Sequence, residues 1–362
     1  MLAYILRRLL LIVPTIFGAM LVSFLIIQAV PGGPVERMIS QLTSSGSNGD
    51  RISGGGGDIV GQGMEAGSSA YRGAAGLDPA FIKSLEKQYG FDKPATERFW
   101  LMVKSYATFD FGTSYFQGQK VIDLIGQKLP VSISLGLWVT LLSYLISIPL
   151  GIRKAIKDGS TFDVWTSGVI IIGYALPGFL VGVFLIVLFA GGSFWQIFPL
   201  RGLTSAGWSD MPLWQKIADY LWHMVLPLIA MSLSAFATLS LLTKNSFLDE
   251  IHKQYVQTAR MKGLTENQVL YGHVFRNAML IVIAGFPSAF IASFYASALL
   301  IEKIFSLDGL GLLGYGALLN RDYPLVLGSL YIFMLLGLVV NLISDLTYML
   351  VDPRIDFEAR EV

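Results

Sequence analysis

Residues 255–278 read YVQTARMKGLTENQVLYGHVFRNA, a polar interval between two apolar runs, 223–243 before it and 279–301 after it. From Phe247 to Lys262 no Gly or Pro interrupts the chain, so a helix is expected to continue to Gly263. Gly263 takes positive φ without steric penalty and so ends that helix. Thr265 then fits an N-cap, with Gln268 at the capping-box spacing. The stretch predicts a helix, a glycine turn and a short helix that runs on into the apolar residues near Met279. Tyr255, Ala259 and Lys262 fall on one side of its first helix, where a small residue would let another protein approach. On pattern alone, an ordinary connection that is helical because it is long fits equally well.

Working outward, the chain repeats this alternation of apolar and polar stretches. Apolar runs cover 9–30, 129–151, 165–190, 223–243, 279–301 and 325–350, each close to the ~20 helical residues that cross a bilayer. Pro130 stands at the mouth of the second run and Pro149 at its end, Pro177-Gly178 interrupts the third, and Pro287 lies in the fifth. The reading is an all-α polytopic membrane protein of six transmembrane helices. Its domains are an N-terminal helix in 1–30, a large extracytoplasmic loop in 31–128, a five-helix core in 129–350 carrying the loop 244–278, and a tail in 351–362. The part 44–76 of the large loop is Gly/Ser-rich and expected to be flexible, with a helix starting at Asp78-Pro79 and reaching Tyr89. A cleaved signal peptide is set aside, because the first apolar run is too long and Val30-Pro31-Gly32 is no cleavage site.

Composition agrees: 54% of residues are hydrophobic and 14% charged, with a mean hydropathy of +0.61. A net charge of +1 points to no nucleic-acid partner. Charge bias sets the expected orientation. Segments 1–8, 152–164, 244–278 and 350–362 are rich in Lys and Arg, whereas the two short loops on the other side hold only Arg201, Lys216, Lys303 and Arg321. Both termini are therefore expected on the cytoplasmic side.

Several chemistries drop out. The chain has no cysteine, and His223, His252 and His273 stand far apart, so no metal-ligand spacing exists and each histidine reads as a surface or interface residue. No GxxxxGK[ST] is present, so any ATPase must be a partner. Gly309 to Gly314 match GxGxxG but follow a membrane span, not a strand that opens a βαβ unit. Ser132, Tyr144, Ser293 and Tyr295 are polar residues inside apolar runs, and fit helix–helix contacts and a weakly polar solute lining alike. Asn341 and Asp345 share a helix face, and Asp345 is a candidate for the translocation path as an intramembrane acid.

Gln257-Thr258-Ala259 followed by Gly263 resembles the EAA loop of binding-protein-dependent ABC importer permeases. Tyr255-Val256-x-Thr258-Ala259-Arg260-x-Lys262-Gly263 with His273-x-x-Arg276-Asn277-Ala278 resembles the form in the dipeptide/oligopeptide branch. The strings Tyr89-Gly90-Phe91-Asp92-Lys93-Pro94, Phe109-Asp110-Phe111-Gly112-x-Ser114 and Ile301–Gly311 with Asn320-Arg321-Asp322-Tyr323-Pro324 match further landmarks of that branch. From their residues the first two read as a turn and a small aromatic cluster. The Gly/Ser-rich insertion and the ending Val351-Asp352-Pro353-Arg354 are similar to its Yej-type B subunits. The departures are Gln257 where Glu is common, Asp308 where Pro is usual, and no early Pro after Asn277.

The resemblance implies the type I ABC importer permease fold and an ATPase-coupling loop formed by Tyr255, Gln257, Thr258, Ala259, Arg260, Lys262, Gly263, Leu264, His273, Arg276 and Asn277. It implies an outer gate at Phe305, Gly309, Gly311, Arg321, Asp322 and Pro324. It further implies a bacterial inner-membrane location, a second permease as heterodimer partner, two ATPase subunits or one fused ATPase, a periplasmic solute-binding protein and a peptide or peptide-like solute. ATP and Mg would be bound by the ATPase partners, with no cofactor on this chain. The alternative is an ATP-independent secondary transporter or channel, against which the chain shows no inverted repeat.

Overall fold

The computed structural model describes residues 2–29, 92–192, 194–295 and 298–351. The Gly/Ser-rich stretch 44–76, the helix expected from Asp78 and the tail beyond Val351 lie outside the described residues. The helices are α1 (Leu2–Ala29), α2 (Ala95–Ala107), α3 (Val121–Ile156), α4 (Thr161–Ala175), α5 (Gly178–Phe189), α6 (Leu213–Ile251), α7 (Gln254–Met261), α8 (Glu266–Val269), α9 (Phe275–Ala284), α10 (Phe286–Tyr295), α11 (Ala298–Ile304), α12 (Leu310–Asn320) and α13 (Tyr323–Val351). Among the described residues, paired extended backbone is confined to one isolated bridge between Thr113 and Lys120.

Among the described residues, five stretches are long and apolar enough to cross a membrane, in α1, α3, α6, residues 266–292 and α13; α4 and α5 together make a sixth if the bent pair is one span. That sixth is not a straight span. The two helices are bent by 97°, because Pro177 has no N–H to donate and holds Leu176 in extended backbone (ψ 123°). Other prolines act differently. The expectation that Pro130 and Pro149 mark the limits of the second span is corrected, since α3 runs through both. Inside a membrane, water offers the backbone no competing partner, and helices tolerate proline.

The described chain divides into two compact units. The smaller consists of residues 11–126 and 314–334 and is held by aromatic contacts. Phe99 of α2 meets Phe17 edge-on at 5.6 Å and lies 5.4 Å from Phe24. Tyr106, Phe111 and Tyr331 form a second group, with centroids 4.8–5.6 Å apart. The turn expected at 109–114 is present: Phe109 (φ 57°) and Gly112 (φ 74°) take left-handed backbone, and Asp110 accepts the Gly112 N–H at 3.1 Å. Ser114 donates to buried Asp322, which also accepts the Tyr115 N–H at 3.2 Å.

The larger unit, residues 1–10, 127–313 and 335–362, is built around α6. Small residues let α3 and α5 approach it: a Cβ on Gly151 would stand 2.9 Å from the Ser240 carbonyl, and one on Gly178 would stand 2.6 Å from the Ala230 carbonyl. A buried charge cluster ties α3, α4 and α6 together. The Lys154 ammonium, fully buried, reaches Asp163 Oδ1 at 3.0 Å and donates to the Asp163 carbonyl, Thr166 and Ser167. Lys244 joins Asp163 Oδ2 at 2.7 Å and Asp158 at 2.8 Å. Two cations face two carboxylates, the balance that burial of charge demands.

A second buried charge organises the turn from α11 to α12. Glu302 is fully buried. Its carboxylate accepts the Ser132 hydroxyl at 3.1 Å and the Leu312 N–H at 2.7 Å, while the Ser132 oxygen accepts the Leu310 N–H at 2.8 Å. The carboxylate thus sits on the N-terminal turn of α12, where free N–H groups point outward. A Cβ on Gly309 would overlap that carboxylate, and one on Gly311 would come within 3.0 Å of it. Replacing Glu302 with Ala leaves these donors without a buried acceptor, and stability should drop by on the order of 3 kcal/mol. Glu302→Gln keeps a carbonyl acceptor and should lose less. Thermal unfolding of the detergent-solubilised protein checks both; equal melting points for all three forms would contradict this role.

Candidate functional site

The loop between α6 and α9 is a compact helix–turn–helix. The single helix expected from Phe247 to Gly263 is corrected: α6 ends at Ile251, Lys253 is extended (ψ 150°), and α7 starts anew at Gln254. The break is held by Glu250, which pairs with Lys253 and accepts the Tyr255 phenol at 2.6 Å. Asn277 at the start of α9 donates to the same phenol oxygen at 3.2 Å. Burial, with the Glu250 carboxylate adding to it, pushes the Tyr255 phenol above its usual range, so it remains a donor. Glu250 was not among the sequence candidates. Its five-residue separation from Tyr255 matches no helical face pair, so no pattern singles it out.

Gly263 takes φ +83°, and nothing lies within 4 Å of the position a Cβ would occupy. Its conformation, not crowding, demands glycine. The capping box forms as its spacing predicts: Thr265 accepts the Gln268 N–H at 3.4 Å and Gln268 accepts the Thr265 N–H at 3.0 Å. Arg260 closes the turn with a two-pronged bond to Glu266 at 2.9 and 3.0 Å. After α8 the chain widens into a π turn over Leu270–Val274 before α9.

The inner face of this loop is apolar and shared. Val256, Ala259, Val269, Leu270 and Val274 lie in one core with Ile152 of α3, Phe247 of α6 and Ala278, Met279 and Val282 of α9. Ala259 therefore does not offer a free small surface to another protein; it lets the two halves of the loop pack on each other. Leu264 packs against the same core. Gln257, Thr258, Arg260, Lys262, Gly263, His273 and Arg276 are exposed. Between them project Met261, 80% exposed, and Tyr271, 60% exposed, two apolar side chains that polarity-based reading passes over.

The six outer-gate residues are divided between the two units. Phe305 is buried beside Ile301 and Leu307, and Gly309 and Gly311 border Glu302. Arg321, at φ +57°, Asp322 and Pro324 belong to the smaller unit. Four of the six path residues have described side chains. Ser132 serves Glu302, Asn341 is exposed on α13, and Asp345 pairs with Arg8 at 2.9 Å. The side chains of Ser293 and Tyr295 lie outside the described residues. Tyr144 borders a cavity of about 460 Å³ set among α3, α4, α6, Gly285 and α10.

Comparison with known proteins places the chain. The family model described as binding-protein-dependent transport system inner membrane component matches residues 147–357. The chain is 66% identical, over 99% of its length and 100% of the relative's, to the peptidoglycan transport system permease protein YejB of Agrobacterium fabrum. It is 54% identical, over the same shares, to the inner membrane ABC transporter permease protein YejB of Escherichia coli O157:H7. Identity to the dipeptide transport system permease protein DppB of Escherichia coli K12 is 30%, over 98% of this chain and 99% of that one. An all-helical membrane chain with an exposed helix–turn–helix rooted in the core of two spanning helices thus belongs to the binding-protein-dependent inner-membrane permeases, in the YejB-like group of ABC importer subunits, and is a transport subunit, not an enzyme.

Proposed function

We propose that the chain works as one half of a permease heterodimer, and that residues 255–278 receive the motion of a separate ATPase. The observation that carries this is the two-sided loop. One side, with Met261 and Tyr271, is open to a partner, and the other shares its core with α6 and α9. A force on such a loop cannot be absorbed locally, because close-packed apolar contacts transmit displacement, and both helices tilt with it. ATP and Mg2+ would be held by two ATPase subunits or one fused ATPase. A periplasmic binding protein would deliver the solute from the opposite side. The loop and both termini then face the cytoplasm. The names of the relatives, which speak of peptidoglycan and dipeptide transport, support peptides or peptide-like compounds as cargo. Membership of a binding-protein-dependent family leaves the ATP-independent alternative without support.

Two substitutions test the loop. Gly263→Val forces a β-branched residue to φ +83°, at a cost of about 2 kcal/mol, and ATP-dependent uptake should fall at least tenfold while membrane insertion persists. Gly263→Asn, which tolerates left-handed backbone, should keep most of the uptake. Equal activity of Val, Asn and Gly at this position would end the coupling role. Met261→Glu leaves the fold alone, since the side chain touches little, yet should reduce recovery of the ATPase in a mild-detergent pull-down by about tenfold; unchanged recovery would place the docking surface elsewhere.

A further inference from the structure

The inner stripe of α4 is polar where it meets α3 and α6. Among the described residues of α4, Asp163 alone is buried, while Val164, Trp165, Val169 and Ile172 are 63–76% exposed. In a bilayer such apolar exposure gives no pull toward the bundle, because lipid tails are as apolar as the side chains they meet. Asp163, Thr166 and Ser167 share one helix face, and the Lys154 ammonium of α3 meets all three, at 3.0, 3.0 and 2.6 Å. Lys244 of α6 takes the other oxygen of the Asp163 carboxylate at 2.7 Å. The Gly159 N–H donates to that same oxygen at 3.2 Å, so the short connection between α3 and α4 is bound at the same point. Both cations are rooted beside the core of the loop. Lys154 lies between Ile152 and Ala155, which share that core with Val256 and Val269. Lys244 stands three residues before Phe247 of the same core, and Ser246 donates to the Ala278 carbonyl of α9 at 2.6 Å.

We infer that Asp163 is the positioning residue through which displacement of residues 255–278 reaches α4, so that α4 travels with α3 and α6 and is not left behind in the lipid. The inference rests on the coupling reading above and adds a further membrane helix to the moving body, together with the residue that engages it. Apolar contacts against a neighbouring helix exchange readily for lipid contacts, so they let a helix slide. Here cations on two different helices grip one carboxylate, each by a different oxygen. Sliding α4 past either helix separates opposite charges where water cannot take their place, which is costly. The ends of α3 and α6 that pack on the loop are also the ends that hold Asp163, so a push on the loop is delivered to α4 over a few residues.

The chain contains no cysteine, so Val169→Cys on α4 and Ile217→Cys on α6, natively 66% and 53% exposed, can each carry one spin label. Pulsed electron spin resonance on the whole importer then gives their separation at rest and with ATP trapped by vanadate. With the joint intact the separation should be the same in both states; a separation that differs between them would overturn the inference. The variant to compare is Lys154→Met with Asp163→Asn. It removes one charge of each sign and leaves Lys244 paired with Asp158 at 2.8 Å, so no buried charge is stranded and the protein should fold. In this variant the separation should shift by about 2 Å between the two states, the scale of helix movements in switching proteins. Asp163→Glu, which keeps the carboxylate, should behave as the unsubstituted protein does. A double variant that melts at a lower temperature but shows equal separations in both states would mean a structural role alone, and would also overturn the inference. Failure of the coupling reading would show separately, as no recovery of an ATPase with the unsubstituted protein in mild detergent.

Discussion

The packing of residues 256–274 into the same apolar core as Phe247, Met279 and Val282 is the constraint on which the rest of this protein depends. A surface loop that merely linked two membrane helices would have its own small contacts and could move without them. Here Val256, Val269 and Val274 are almost fully buried, and displacing them would open voids beside α6 and α9. The Glu250–Tyr255–Asn277 chain of hydrogen bonds adds a directional link between the end of one helix and the start of the other. On the proposed reading this is how work done by a partner reaches the membrane interior: the loop and the helix ends move as one body.

Elsewhere in the larger unit, buried charge does the fixing. Lys154, Asp163 and Lys244 join three helices at one point, and Glu302 seats the turn before α12 on α3. Breaking a buried pair strands a charge, a much larger penalty than the loss of a surface ion pair. Such contacts hold one geometry and resist gradual deformation.

Much of the architecture was legible in the residues themselves. Long apolar runs separated by polar stretches dictate membrane helices, because a backbone in hydrocarbon has no other way to satisfy its N–H and C=O groups. Gly263 and the Thr265–Gln268 pair are local signals, and the turn and cap they predict both formed, since φ and capping are decided within a few residues. The landmark strings around residues 255–278 and 301–324 identified the family for the same reason: their chemistry is written in order along the chain. What tertiary structure alone decided is which groups meet. Ser132 meets Glu302, 170 positions away. Asp345 pairs with Arg8. Lys154 and Lys244 count toward charge bias in the sequence, yet in the fold they neutralise Asp163. Ala259 faces inward and Met261 outward because the core is completed by residues on α3, α6 and α9, which no periodicity within α7 can reveal. Local propensities set the helices and turns; the partners of buried polar groups were set by packing between distant segments, where desolvation leaves each charge or hydroxyl few places to go.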